Sequence, residues 1–122
     1  MSYPRILVID DEENFLGLLS KVLGKEGYEV RTTTDGNQAL RWHEEEPFDL
    51  VFVDIRMRPI DGFSILDRVK NLEPGTKVVM LSTYPGDQTR AMAFLKGAVE
   101  YLVKPIDIDV LKETVREHLL PP

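Results

Sequence analysis

Three short apolar runs punctuate the chain, at residues 6–9 (Ile-Leu-Val-Ile), 50–53 (Leu-Val-Phe-Val) and 78–81 (Val-Val-Met-Leu). Runs of this length match strands covered on both faces, as in a parallel sheet. Two weaker strand patterns join them, at 28–33 (Tyr-Glu-Val-Arg-Thr-Thr), which alternates, and 100–103 (Glu-Tyr-Leu-Val). Helical stripes fill the intervals. Phe15, Leu16, Leu19, Val22 and Leu23 predict a first helix, with Asp11 as an N-cap option and Gly27 as its stop. Ala39, Leu40 and His43 predict a second after Asp35-Gly36, closed by Pro47, and Phe63, Leu66 and Val69 a third, closed by Pro74-Gly75. A fourth, marked by Ala91, Met92 and Leu95, opens near Pro85-Gly86-Asp87 and closes at Gly97. A fifth, marked by Ile108, Leu111, Val115 and Leu119, ends at Pro121-Pro122. Strand and helix thus alternate five times, which predicts a doubly wound α/β domain with helices on both faces of a parallel sheet.

The length of 122 residues fits one domain with a real core. Pro121-Pro122 reads as the possible start of a linker, leaving 1–120 as the domain. No cysteine is present, which removes disulfides, thiolate metal sites and thiol chemistry. With 21 acidic against 15 basic side chains the net charge is −6, so direct contact with nucleic acid or an anionic membrane is disfavoured. No apolar run approaches the ~18 residues of a membrane span, and the opening Met-Ser-Tyr-Pro-Arg lacks the make-up of a signal peptide. A cytoplasmic location is the expectation.

Ligand sites in open α/β sheets lie beyond the C-terminal strand ends. There the chain places Asp10-Asp11 with Glu12 and Glu13, then Asp54, then Ser82-Thr83, then Lys104. Two like charges about 4 Å apart repel by about 4 kcal/mol at an effective dielectric near 20, so several carboxylates in one cleft take up protons or hold a cation. An oxygen-only set with room for water and phosphate suits Mg2+ better than Ca2+. Structural roles compete: Asp11 as a helix cap, Asp54 in an Asx-turn, Lys104 as a surface lysine, Ser82 or Thr83 as a cap for the fourth helix. Each is plausible alone; their coincidence at one sheet edge argues for a site.

The order and spacing of Ile6-Leu7-Val8-Ile9-Asp10-Asp11-Glu12, Asp54-Ile55-Arg56-Met57 with Asp61-Gly62, Val79-Met80-Leu81-Ser82, and Gly97-Ala98 through Lys104-Pro105 resemble the receiver domain of two-component response regulators. The resemblance covers nearly the whole chain. It implies a flavodoxin-like sheet in the order 2-1-3-4-5. It implies Asp54 as phosphoacceptor, and Mg2+ (with Mn2+ as a substitute) held by Asp11, Asp54 and the backbone carbonyl of Arg56, with Asp10 acting through water. It further implies Lys104 on the phosphoryl oxygens, Ser82 as the switch hydroxyl, Tyr101 as the aromatic that turns inward as Ser82 moves, and a cis Lys104-Pro105 bond. Ser82 is preferred over Thr83 for its spacing, 28 residues after Asp54 and 22 before Lys104. A histidine kinase or phosphotransfer protein is the implied partner, and the face formed by the fourth helix, fifth strand and fifth helix a homodimer or effector surface. The implied role is a signalling module that catalyses only its own phosphorylation and dephosphorylation, coupled to an output domain or partner that includes transcription regulation as an option.

Two positions depart from the family pattern: Arg58 stands where proline is common, with Pro59 after it, and Thr83 is bulkier than the usual small residue; Ser82 beside Thr83 also leaves the register of the hydroxyl open. Arg56 and Tyr84 occupy positions that commonly tune the hydrolysis rate in the family, and their bulk is expected to shield the phosphoryl group. Other residues receive structural readings: Trp42 partly against the sheet, Glu44-Glu45-Glu46 solvated, and Met92 in the core rather than on the surface with Phe94 and Val110. His43 and His118 are expected to lack ligand partners. A Mg2+-dependent phosphatase is a weaker reading, because its Asp-x-Asp would follow the first strand. So is a receiver-like module that is never phosphorylated, because all the acids and the lysine are present. A nucleotide-binding Rossmann protein is disfavoured for want of a Gly-rich turn after the first strand.

Overall fold

The computed structural model describes residues 3–84 and 86–120. Its elements alternate as expected: β1 (Arg5–Ile9), α1 (Glu13–Lys25), β2 (Glu29–Thr33), α2 (Gly36–Glu45), β3 (Leu50–Asp54), α3 (Gly62–Leu72), β4 (Lys77–Ser82), α4 (Asp87–Leu95), β5 (Glu100–Val103) and α5 (Ile108–His118). Every ladder is parallel and the sheet order is β2-β1-β3-β4-β5, the doubly wound arrangement implied by the sequence. The expected helix opening at Pro85 and the Pro121-Pro122 stop lie outside the described residues.

Alternation along the strands splits the core in two. Leu7, Ile9, Val51, Val53, Val78 and Met80 face one side, where Ala39, Leu40, Ile65, Leu66 and Val69 of α2 and α3 cover them. Ile6, Val8, Leu50, Phe52, Val79 and Leu81 face the other, covered by Leu16, Leu19 and Leu23 of α1 and Leu111 and Val115 of α5. Fully burying one such side chain stabilises by about 1.5–3 kcal/mol, so both faces of the central strands anchor the sheet between two helix layers.

Helix ends follow local chemistry. Asp35, Asp61 and Asp107 cap α2, α3 and α5 by accepting N–H groups of Asn37, Ser64, and Asp109 with Val110. Gly27 and Gly97, just past α1 and α4, have φ of 98° and 102°, a region costly for any residue with a Cβ. Two expectations fail. Asp11 does not cap α1: the N-cap position is Glu12, and no side chain closes it. Met92 is not in the core but 47% exposed, and Ala91 and Leu95 of its predicted stripe also face solvent. Ala93 alone is fully buried in α4, so the inward face of this helix is one methyl wide, too narrow to register as a stripe. Trp42 packs partly against the α2–α3 core, with the Arg31 guanidinium 3.7 Å from its ring centroid. Glu44, Glu45 and Glu46 are exposed.

Candidate functional site

Parallel register decides which residues meet at the C-terminal edge. Ile9 pairs with Val53, so Asp10 and Asp54 come next to each other one step further on. Ser82 pairs with Val103, and the following Lys104 N–H donates to the Ser82 carbonyl at 2.7 Å. Four residues scattered over 94 positions of sequence thereby share one corner.

Lys104 is the hub. Its Nζ donates to Asp10 Oδ2 at 2.6 Å, to Asp54 Oδ2 at 3.0 Å and to Glu12 Oε1 at 3.1 Å. It also lies 4.5 Å from the centroid of the Phe15 ring. Burial works against the charged ammonium, but the hydrogen bonds and charges of Asp10 and Asp54 outweigh it and hold the lysine pKa above its ordinary value. Asp10 is fully buried, and burial pushes its carboxyl up to about 6 while Lys104 pulls the other way. The site therefore concentrates negative charge that one cation only partly offsets.

Asp54 does form a turn, its Oδ1 accepting the Arg56 N–H at 2.8 Å, yet this uses one oxygen and leaves the other on Lys104. Asp10 behaves likewise, its Oδ1 accepting the Glu12 N–H at 2.9 Å. Asp11 has no capping duty and is exposed, and one carboxylate oxygen each from Asp10, Asp11 and Glu12 lies within 4.8 Å of the others. Asp11 also borders an open cleft of about 710 Å3 with Arg56, Met57, Arg58 and Asp61. This donor set is all oxygen and opens to solvent, which fits a hard divalent cation that keeps several waters. Both Arg58-Pro59 and Lys104-Pro105 bonds are cis.

The opposite rim holds the hydroxyls and aromatics. Ser82 is buried, and its Oγ accepts the Tyr84 N–H at 2.9 Å rather than capping α4, whose N-cap is Gly86. Thr83 is exposed and lines a second cleft with Phe15, Leu18 and Lys104. Tyr101 already lies inward, its O–H donating to the Tyr84 carbonyl at 2.6 Å. The Arg56 guanidinium sits 4.1 Å from the centroid of the Tyr84 ring, bridging the loops after β3 and β4. Glu12 and Phe15 were missed as site residues. Glu12 belongs to the acidic run that marked the edge, but Phe15 was absorbed into the α1 stripe and carried no separate signal.

Gly62 backs the site from behind. Its N–H donates to the Ile55 carbonyl at 2.8 Å, and a Cβ there would stand 2.2 Å from the Asp54 carbonyl oxygen. The two histidines part company. His43 is buried, its Nδ1 accepting the Phe48 N–H at 3.1 Å, and burial lowers its pKa. His118, expected to lack a ligand partner, has Glu100 Oε1 at 3.3 Å from its Nε2, because β5 and the end of α5 converge at the N-terminal edge of the sheet. No helix among the described residues is long and apolar enough to cross a membrane.

The comparisons with known proteins agree with this geometry. Residues 6–116 match the response regulator receiver domain family. The transcriptional regulatory protein ZraR of Escherichia coli K12 is 38% identical over 93% of this chain, and the regulatory protein AtoC of the same strain 34% over 94%. The chain spans only about a quarter of the length of these relatives (26% and 25%). Among solved structures, Vibrio cholerae chemotaxis protein CheY4 superposes with a TM-score of 0.90 at 28% identity, covering 97% of this chain and all of that one. The beryllofluoride-activated NtrC4 receiver domain dimer gives 0.89 at 31%, covering 93% and 94%. The chain is a member of the response regulator receiver domain family, a signalling module of two-component systems.

Proposed function

We propose that Asp54 accepts a phosphoryl group from a histidine kinase or phosphotransfer protein, and that this event switches the surface built by α4, β5 and α5. The observation that carries the proposal is the Asp54 carboxylate, fixed by the Arg56 N–H and facing the Lys104 ammonium at the end of β3. A carboxylate oxygen attacks phosphorus as the bond to the donor breaks, and the product is an acyl phosphate. Lys104 balances charge on the transferred group, and the Ser82 hydroxyl can turn from the Tyr84 N–H to donate to a phosphoryl oxygen. Asp11, Asp54 and the Arg56 carbonyl would hold Mg2+, or Mn2+ in its place, with Asp10 through water; the ion would screen the phosphoryl oxygens.

Tyr84 connects the parts. It gives its N–H to Ser82, its carbonyl to Tyr101 and its ring to Arg56. A move of Ser82 toward the phosphoryl group therefore disturbs the Tyr101 bond, and Tyr101 lies on β5 in the proposed output surface. Exposed Met92, Phe94, Leu95, Val103 and Val110 give that surface the apolar character of a dimer or effector contact. Arg56, Thr83 and Tyr84, on the loops after β3 and β4, are assigned to tuning phosphoryl loss.

Intact mass after incubation with acetyl phosphate and Mg2+ tests the reading. Wild type should gain one phosphoryl group, and neither Asp54→Asn nor a chelated sample should gain any. Equal labelling of Asp54→Asn overturns the assignment of the phosphoacceptor.

A further inference from the structure

We propose that Glu100, Glu117 and His118 form a binding site for a divalent transition-metal ion at the sheet edge opposite Asp54. In parallel strands Glu100 opens β5 while Lys104 follows its end, so at ~3.3 Å per residue about 13 Å of strand separates the two edges. Glu117 and His118 close α5. One ligand atom from each of the three residues lies within 4.8 Å of the other two.

The distances suit a metal as well as a long hydrogen bond. His118 Nε2 and Glu100 Oε1 are 3.3 Å apart, at the long end for an N–H···O contact. Two ligands at about 2.1 Å from a tetrahedral zinc ion stand about 3.4 Å apart. Glu117 is exposed at the helix end and has the freedom to close the remaining gap. The backbone is held in register for this: Glu100 pairs with Val79 of β4, and Lys77 at the start of the same strand donates from Nζ to the His118 carbonyl at 2.8 Å. Most of the two facing side chains is shielded, with 19% of His118 and 32% of Glu100 accessible. One imidazole with two carboxylates selects zinc, nickel or copper over Mg2+, and water would complete the shell. This donor set differs from the all-oxygen edge around Asp11, so the two edges sort cations by chemistry. A bound ion would staple the last turn of α5 to β5, two elements of the proposed output surface.

The test is a Zn2+ titration of the intact domain by calorimetry in excess Mg2+. One-to-one binding is expected, weakened at least about tenfold, the equivalent of 1.4 kcal/mol, in both His118→Asn and Glu100→Gln. Asp11→Asn should bind as wild type does. On wild-type protein, NMR of the imidazole nitrogens should show His118 shifting with Zn2+ and buried His43 unmoved, a reading that needs no variant to fold. No binding up to about 1 mM Zn2+, unchanged affinity in His118→Asn, or loss of binding in Asp11→Asn overturns the proposal.

Discussion

Gly62 opens α3 with its backbone pressed against the strand end that carries Asp54. An alanine Cβ at this position would sit 2.2 Å from the Asp54 carbonyl oxygen, 2.6 Å from Ile55 Cα and 2.9 Å from the Asp54 carbonyl carbon. Ordinary contact begins near 3.4 Å, so the chain must part by about 1 Å. The obstructing atoms are backbone, which no rotamer change relieves. Overpacking of this kind costs about 1–3 kcal/mol, and the upper half applies here. Helix propensity returns at most about 1 kcal/mol, which leaves a net loss near 2 kcal/mol, or roughly 8 °C in Tm for a domain this size. The same displacement moves the Asp54 carboxylate off its line with Lys104, so acetyl phosphate labelling should slow by about tenfold or more. Gly17→Ala serves as the opposite case. Gly17 lies in the exposed interior of α1 with nothing within 4 Å of an added Cβ, so alanine should stabilise by about 0.5–1 kcal/mol. Thermal unfolding and timed mass labelling of both variants decide the matter. Wild-type Tm and labelling rate in Gly62→Ala would refute the reasoning.

Lys104→Met leaves Asp10, Glu12 and Asp54 without their shared counter-charge. In EDTA it should cost about 3 kcal/mol above neutral pH, and urea midpoints should show the deficit shrinking as pH falls toward about 6: Lys104 lowers the Asp10 pKa, so without it Asp10 takes up its proton at a higher pH than in wild type; a pH-independent deficit contradicts this. Tyr84→Ala removes the ring that Arg56 covers, so the phosphorylated domain should lose its label several-fold faster by intact mass, and an unchanged half-life sinks the shielding role. His43 folds in its neutral form, with a pKa held below the ordinary 6.5 by burial. Its contribution is complete above that value and lost as pH falls through the lower folded value, by up to about 1.4 kcal/mol per pH unit. Between about pH 7.5 and 5 the urea midpoint should therefore fall more steeply in wild type than in His43→Leu, and parallel curves would count against it.

Most of the fold could be read because its strands are covered on both faces. Four-residue apolar runs such as 50–53 have few other uses, and Asp54 stands out directly behind one. The edge residues followed from topology, since parallel strands gather their C-terminal ends. Three features could not be read that way. α4 meets the core through Ala93, and a single small residue gives no periodic signal, so Met92 was assigned inward by default. The stacking of Arg56 on Tyr84 joins loops after different strands, and loop conformation leaves no hydrophobic pattern. His118 looked isolated because Glu100 lies 18 residues back, beside it only after β5 and α5 have packed.

The narrow footing of α4 has a thermodynamic consequence. α3 sets Ile65, Leu66 and Val69 into the core, whereas α4 commits one alanine. At about 0.8 kcal/mol per buried CH2-sized group, undocking α4 forfeits only a small part of the domain's stability. Its amide protons should exchange with solvent through local opening, well ahead of those in α3. The segment is thus a low-threshold element: on the proposed switch, the modest free energy released when the Ser82 hydroxyl changes its hydrogen-bond partner would suffice to re-seat it.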